Sequence, residues 1–113
     1  MSKRDNLMLS EDMLEAADKI ISYVQGDHLS DFLGDEKTKD AVIRNFEIIG
    51  EAAARLDTDF KDSHKEVPWS QLKGYRNRLI HEYFGVDYEI VFEIIQNDLP
   101  TLSKQLQNLL RNK

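Results

Sequence analysis

Apolar side chains recur along this chain at helical spacing in four stretches, and nothing reads as a strand. In the first stretch, about Glu11 to Gln25, Met13, Leu14, Ala17, Ile20, Ile21 and Val24 fall on one face. Ser10 is a suitable N-cap there, Glu11 and Asp12 suit the positive end of the helix dipole, and Gly26 suits the stop. A connector from Asp27 to Gly34 follows, with room for one helical turn at Asp31-Phe32-Leu33. The second helix is expected from about Glu36 to Leu56. Its stripe is Val42, Phe46, Ile49, Ala53 and Leu56, flanked by Ile43, Gly50 and Ala52. Glu51 and Arg55 form a favourable i,i+4 pair on the opposite side, and Asn45, at the stripe's edge, needs a hydrogen-bond partner if buried.

Thr58 to Val67 is polar and reads as a loop. Pro68 fits the first turn of a third helix, where its missing N–H is not needed; that helix is expected to run to Tyr83 or Phe84, with Gly85 ending it. Asp87 can cap a fourth helix bearing Ile90, Val91, Ile94 and Ile95. Pro100 should kink or break that helix before Leu102, Leu106, Leu109 and Leu110 continue the pattern. The expectation is an all-α, up-down bundle in a single domain spanning residues 1–113.

The third helix departs from this plain pattern. At about 100° per residue, Trp69, Leu72, Leu79, Ile80 and Tyr83 share one side, and Arg76 falls in the middle of them. A guanidinium on a core-facing stripe is unfavourable unless it is paired or meets a solvated cleft. Either Arg76 pairs with a neighbouring carboxylate, or the stripe faces a cleft or a second subunit and Arg76 awaits a phosphate, which arginine grips with two N–H bonds. Asn77 and His81, four apart, share another face. On a straight helix Arg76 and His81 lie about 140° apart. They converge only if the helix distorts near its end, if long side chains reach a cleft from two sides, or if a two-fold dimer brings two copies of each together.

Composition narrows the chemistry. The chain has 113 residues with 41% apolar and 32% charged, enough for one packed core. No cysteine is present, which excludes disulfides, zinc–thiolate sites and cysteine nucleophiles. No two histidines have metal-ligand spacing on a helix face, and His28 and His64 sit in polar connectors, so no metal or other cofactor is expected. No apolar run approaches the ~20 residues that span a bilayer, and the first residues lack a signal-peptide pattern, so a cytoplasmic location without membrane contact is the expectation.

The net charge of −6 argues mildly against nucleic acid, but the charge is uneven. Residues 61–81 and 99–113 each sum to +3, while residues 82–98 sum to −5. An acidic body can still bind RNA where basic segments converge. RNA carries its own nucleophile, the 2′-hydroxyl. Cleavage needs a base, an acid and positive charge at the phosphate, and two copies of His81 with Arg76 would provide these without a metal.

The run Arg76-Asn77-Arg78-Leu79-Ile80-His81-Glu82-Tyr83 resembles the Arg-x4-His-x-Tyr motif of HepT toxins, HEPN-domain ribonucleases paired with MNT-type nucleotidyltransferase antitoxins. The flanks agree: Ala41 to Ala52, Pro68-Trp69, Phe84-Gly85-Val86-Asp87 and Asp98-Leu99-Pro100. The resemblance implies a four- or five-helix HEPN-like bundle, homodimeric, with the motif at the subunit cleft. It implies metal-independent endonucleolytic RNA cleavage with Arg76 and His81 catalytic and Asn77 supporting. It also implies that the antitoxin modifies Tyr83 with AMP. The competing reading is a non-catalytic helical module that binds a nucleotide or the nucleotidyltransferase, but nucleotide binding alone gives no reason for the histidine.

Overall fold

The computed structural model describes residues 2–81 and 85–112; the side chains of Arg76, Ile80 and His81 also lie outside the described residues. The helices are α1 (Lys3–Tyr23), α2 (Leu29–Leu33), α3 (Glu36–Arg55), α4 (Thr58–Asp62), α5 (Trp69–Lys73), α6 (Tyr75–Leu79), α7 (Tyr88–Asn97) and α8 (Leu99–Arg111). Two two-residue strands, β1 (Ile80–His81) and β2 (Gly85–Val86), pair antiparallel between α6 and α7. The fold is an all-α helical bundle, and this short ladder is the departure from a strand-free reading. Among the described residues, no helix is long and apolar enough to cross a membrane.

α1 begins well before the expected Glu11. Ser2 is its cap: the hydroxyl accepts from the Asp5 amide and the Asp5 carboxylate accepts from the Ser2 amide, both at 3.2 Å. Ser10 is not a cap. It is buried inside the helix, and its hydroxyl donates to the Asn6 carbonyl four residues back at 2.9 Å. Both serines match the capping preference, but the helical pattern continues upstream through Asn6 and Leu9, which are also buried. Gly26, at φ +82°, makes the turn after α1 that other residues rarely adopt.

α3 lies as its periodicity predicts. Asp35 caps it by accepting from the Thr38 amide, and Val42, Phe46, Ile49, Gly50, Ala52 and Ala53 are buried. Asn45 is buried and donates to the Ala41 carbonyl at 2.8 Å. On the outer face the ion pair is Arg44 with Glu47 at 3.8 Å rather than Glu51 with Arg55. Exposed pairs of this kind contribute little in either register.

α3 packs against α1 on one side and against α5 and α6 on another, and α8 covers α1. Ser103 of α8 donates to Asp18 of α1 at 2.6 Å. The segment expected as a loop between residues 58 and 67 contains the single turn α4. Its start is tied to α1 by a reciprocal pair: Asn6 Nδ2 donates to Asp57 Oδ2, and the Asp57 amide donates to Asn6 Oδ1, each at 3.1 Å. A contact 51 residues apart in the chain cannot be read from local periodicity.

Asp87 caps α7 as expected, accepting from the Ile90 amide. Pro100 divides α7 from α8: it sits in the first turn of α8, and Asp98 stands between the two helices. Leu99, Leu102, Leu106 and Leu109 then reach the core.

Gly50 sets how near α5 comes to α3. A Cβ there would lie 3.4 Å from the Leu72 carbonyl oxygen and 3.8 Å from that of Lys73. One carbon fits; a longer side chain meets backbone that cannot step aside. Gly50→Ala should therefore change stability by less than about 1 kcal/mol, its gain in helix propensity offset by the tight contact. Gly50→Leu should lose about 1–3 kcal/mol through overpacking. Urea unfolding of the two variants beside the parent checks this, and equal effects would mean that α5 does not approach α3 so closely.

Candidate active site

The motif-bearing segment is not one helix to Tyr83 or Phe84. It runs as α5, a turn at Gly74, then α6, which ends at Leu79. Gly74 keeps right-handed dihedrals (φ −80°, ψ −6°), its amide donates to the Ser70 carbonyl and its carbonyl accepts from the Arg78 amide, so direction is preserved across the turn. At Ile80 the backbone becomes extended. Ile80 pairs with Val86 and His81 with Gly85. β-branched Ile80 and Val86 favour the extended backbone, and Gly85 adopts φ +74°. Gly85 thus serves the ladder instead of terminating the third helix.

This changes how the motif is presented. The expected stripe counted Ile80 and Tyr83 as helical. Ile80 is not, and Tyr83 lies outside the described residues with Glu82 and Phe84. Among the described residues of this segment the buried positions are Trp69, Leu72, Tyr75 and Leu79, so Tyr75 belongs to the stripe; the expected place of the Arg76 side chain in it lies outside the described residues. Asn77 and Arg78 are exposed away from it. The 140° separation of Arg76 and His81 on a straight helix no longer applies, because the helix ends between them. The backbone therefore departs from a straight helix between the two residues. Asn77 and His81 are likewise not on one helical face.

Tyr75 is the residue that periodicity should have found and did not. It is three after Leu72 and four before Leu79, the spacing of a helical stripe. Its ring meets Phe46 of α3 edge to face, with centroids 5.2 Å apart at 84°. Burial pushes its phenol up to about 12, and the Asp98 carboxylate acts in the same direction; the weaker effects of Gln71 and Arg78 oppose this. Gln71 in turn donates to Asp98 Oδ2 at 3.0 Å, linking α5 to the α7–α8 junction. Two aromatic anchors therefore hold the segment. Trp69 is the other, its indole N–H donating to the carbonyls of His64 at 2.9 Å and Lys61 at 3.2 Å.

The remaining histidines have local partners. His64 packs its ring on Phe60 at 4.7 Å and lies 3.7 Å from Glu66, so it is more than the solvated connector residue expected. His28 is exposed at the start of α2, where its amide donates to Asp31.

Comparison with known proteins places this segment in context. Residues 13–109 match the HepT-like family, described as "Ribonuclease HepT-like". The Methanocaldococcus jannaschii protein named "Putative RNase MJ1380" is 38% identical over 107 residues, covering 95% of this chain and 98% of that protein. The Thermococcus cleftensis protein named "Probable ribonuclease HepT" is 40% identical over 107 residues, covering 95% and 97%. No solved structure matches the chain.

Because its raised value belongs to a group that favours the neutral form in the fold, Tyr75 contributes stability that is full below the unfolded tyrosine value near 10. That contribution is lost as pH rises towards about 12. In an alkaline titration of tyrosine absorbance, the parent should show one late-ionising phenol that is missing in Tyr75→Phe. If the two titrations coincide, Tyr75 is not buried as described.

Proposed function

Because the chain belongs to the HepT-like ribonuclease family, we propose that it is a metal-independent endoribonuclease, the toxin of a toxin–antitoxin pair, acting as a homodimer. The observation that carries this is that the family match spans the whole segment Arg76 to Tyr83 together with the bundle that supports it.

The reaction is a transesterification. His81 removes the proton of a ribose 2′-hydroxyl, whose oxygen attacks the adjacent phosphorus. The bond to the 5′-oxygen breaks, and the partner subunit's His81 gives that oxygen a proton. The products are a 2′,3′-cyclic phosphate and a 5′-hydroxyl end. Arg76 stabilises the charge that builds on the phosphoryl oxygens in the transition state. Asn77, exposed on α6, supports the substrate beside it. The helix end at Leu79 favours this arrangement, since it frees His81 from the direction a continuous helix would impose.

Control comes from an MNT-type nucleotidyltransferase that transfers an adenylyl group to the Tyr83 hydroxyl. That group adds bulk and negative charge two residues after His81, which obstructs the cleft and repels substrate phosphate. The toxin works in the cytoplasm, where its RNA targets and the partner enzyme meet it.

The test is RNA cleavage in EDTA by the purified, unmodified protein. Parent protein should cut RNA and leave 2′,3′-cyclic phosphate ends. His81→Ala and Arg76→Ala should remain folded and lose roughly 10²-fold or more in rate. Absence of cleavage by unmodified dimer, with nucleotide binding that depends on Arg76 but not His81, would replace this reading with that of a binding module. Separately, co-expression with the cognate nucleotidyltransferase should add the mass of one adenylyl group to the parent and none to Tyr83→Phe. An identical mass gain in both would remove Tyr83 from the proposal.

A further inference from the structure

An open cleft of about 480 Å³ lies between α4, the turn after it and α5. Lys61, Lys65 and Lys73 line it, with Asp62 as the one acidic member. Among the described residues, none of these three lysines forms an ion pair, whereas Lys19 and Lys39 each bind a neighbouring glutamate. In a chain of net charge −6, three unpaired cations around one concavity are a local reversal of the overall charge.

The cleft is also held in shape. The Trp69 indole bonds to the carbonyls of Lys61 and His64, Phe60 packs on both Trp69 and His64, and Val67 is buried beneath. Lys61, in the last turn of α4, is half-buried. Thr58 and Ser70 add hydroxyls to the lining.

Position gives the cleft its meaning. Ser70 and Lys73 precede Asn77 by seven and four residues, and the chain keeps its helical direction through Gly74. The three therefore follow one another along a single exposed face that leads from the cleft to the motif. We infer that this lysine cleft is a second RNA-binding site, which grips backbone phosphates of the strand beyond the scissile bond and feeds the strand to the motif. The inference rests on the ribonuclease reading above. Nucleic acid fits better than an acidic protein, because lysine is depleted at protein interfaces and Trp69, the aromatic among the described lining residues, is turned inward to hold backbone carbonyls.

The experiment measures binding of a single-stranded RNA to the full chain carrying His81→Ala, which prevents cleavage, across a range of salt. The cleft is removed by Lys61→Gln, Lys65→Gln and Lys73→Gln together. A control carries the same change in charge elsewhere, through Lys3→Gln, Lys37→Gln and Lys104→Gln. Circular dichroism establishes that both remain folded.

The cleft variant should bind roughly tenfold or more weakly, and its plot of log affinity against log salt should be shallower by about 2, close to 0.7 for each lost single-strand contact. The control should keep the parent slope. Equal losses in both triples would overturn the cleft in favour of diffuse charge. Unchanged RNA binding by the cleft variant, with loss of the co-expressed nucleotidyltransferase on purification, would reassign it to an acidic protein partner. Parent protein that neither binds nor cuts RNA would sink the ribonuclease reading as well. Cleavage by parent with cleft-independent binding would overturn this inference alone.

Discussion

The seating of Tyr75 on Phe46 is the contact on which the motif-bearing segment of this molecule depends. α5 and α6 are each only five residues long, too short to persist as isolated helices. They are held because Trp69, Leu72, Tyr75 and Leu79 bury themselves against the bundle, and because Gly50 lets the backbone of α5 come close to α3. Tyr75 is almost wholly enclosed there. With the residue 1% exposed, its polar end as well as its ring is drawn inward, and this burial is what raises the phenol. With that face fixed, Asn77 and Arg78 can only point outward.

Packing and chemistry are separated along this short segment. Residues 72, 75 and 79 belong to the core, and residues 73, 77 and 78 to the surface. The helix then stops at Leu79, and the chain continues as a two-residue ladder with Gly85–Val86. A helix carried on to Tyr83 would turn His81 about 140° from Arg76. Ending it early removes that constraint between the arginine and the histidine of the motif. The same segment's N-terminal half shapes the lysine cleft, so one stretch of chain provides both the motif and part of that cleft.

The cores of α1, α3, α7 and α8 were legible from periodicity, because each has a long stripe in which packing and helical spacing agree. The break at Pro100 and the cap at Asp87 were legible because each has a local cause: a missing N–H and a carboxylate beside free amides. Three features were misread for one reason, that local preference is degenerate. Ser2 and Ser10 are both good caps, and only continued burial upstream selects Ser2. Residues 58–62 are polar, and the turn they form is tied down by Asn6, 51 positions before Asp57. Residues 80 and 81 fit a helix by spacing, yet pair with Gly85–Val86 because β-branched side chains and a positive-φ glycine suit the ladder better.

By itself the sequence determined the helical class, the main core stripes and the motif that marks the chain as HepT-like, since these depend on residue type and spacing within one segment. Tertiary structure alone decided where the motif helix ends, that Tyr75 anchors it, and that Lys61, Lys65 and Lys73 share a cleft. Those outcomes depend on which distant backbone lies within reach, and hydrophobic burial and hydrogen bonding between segments are specified only once the chain is packed.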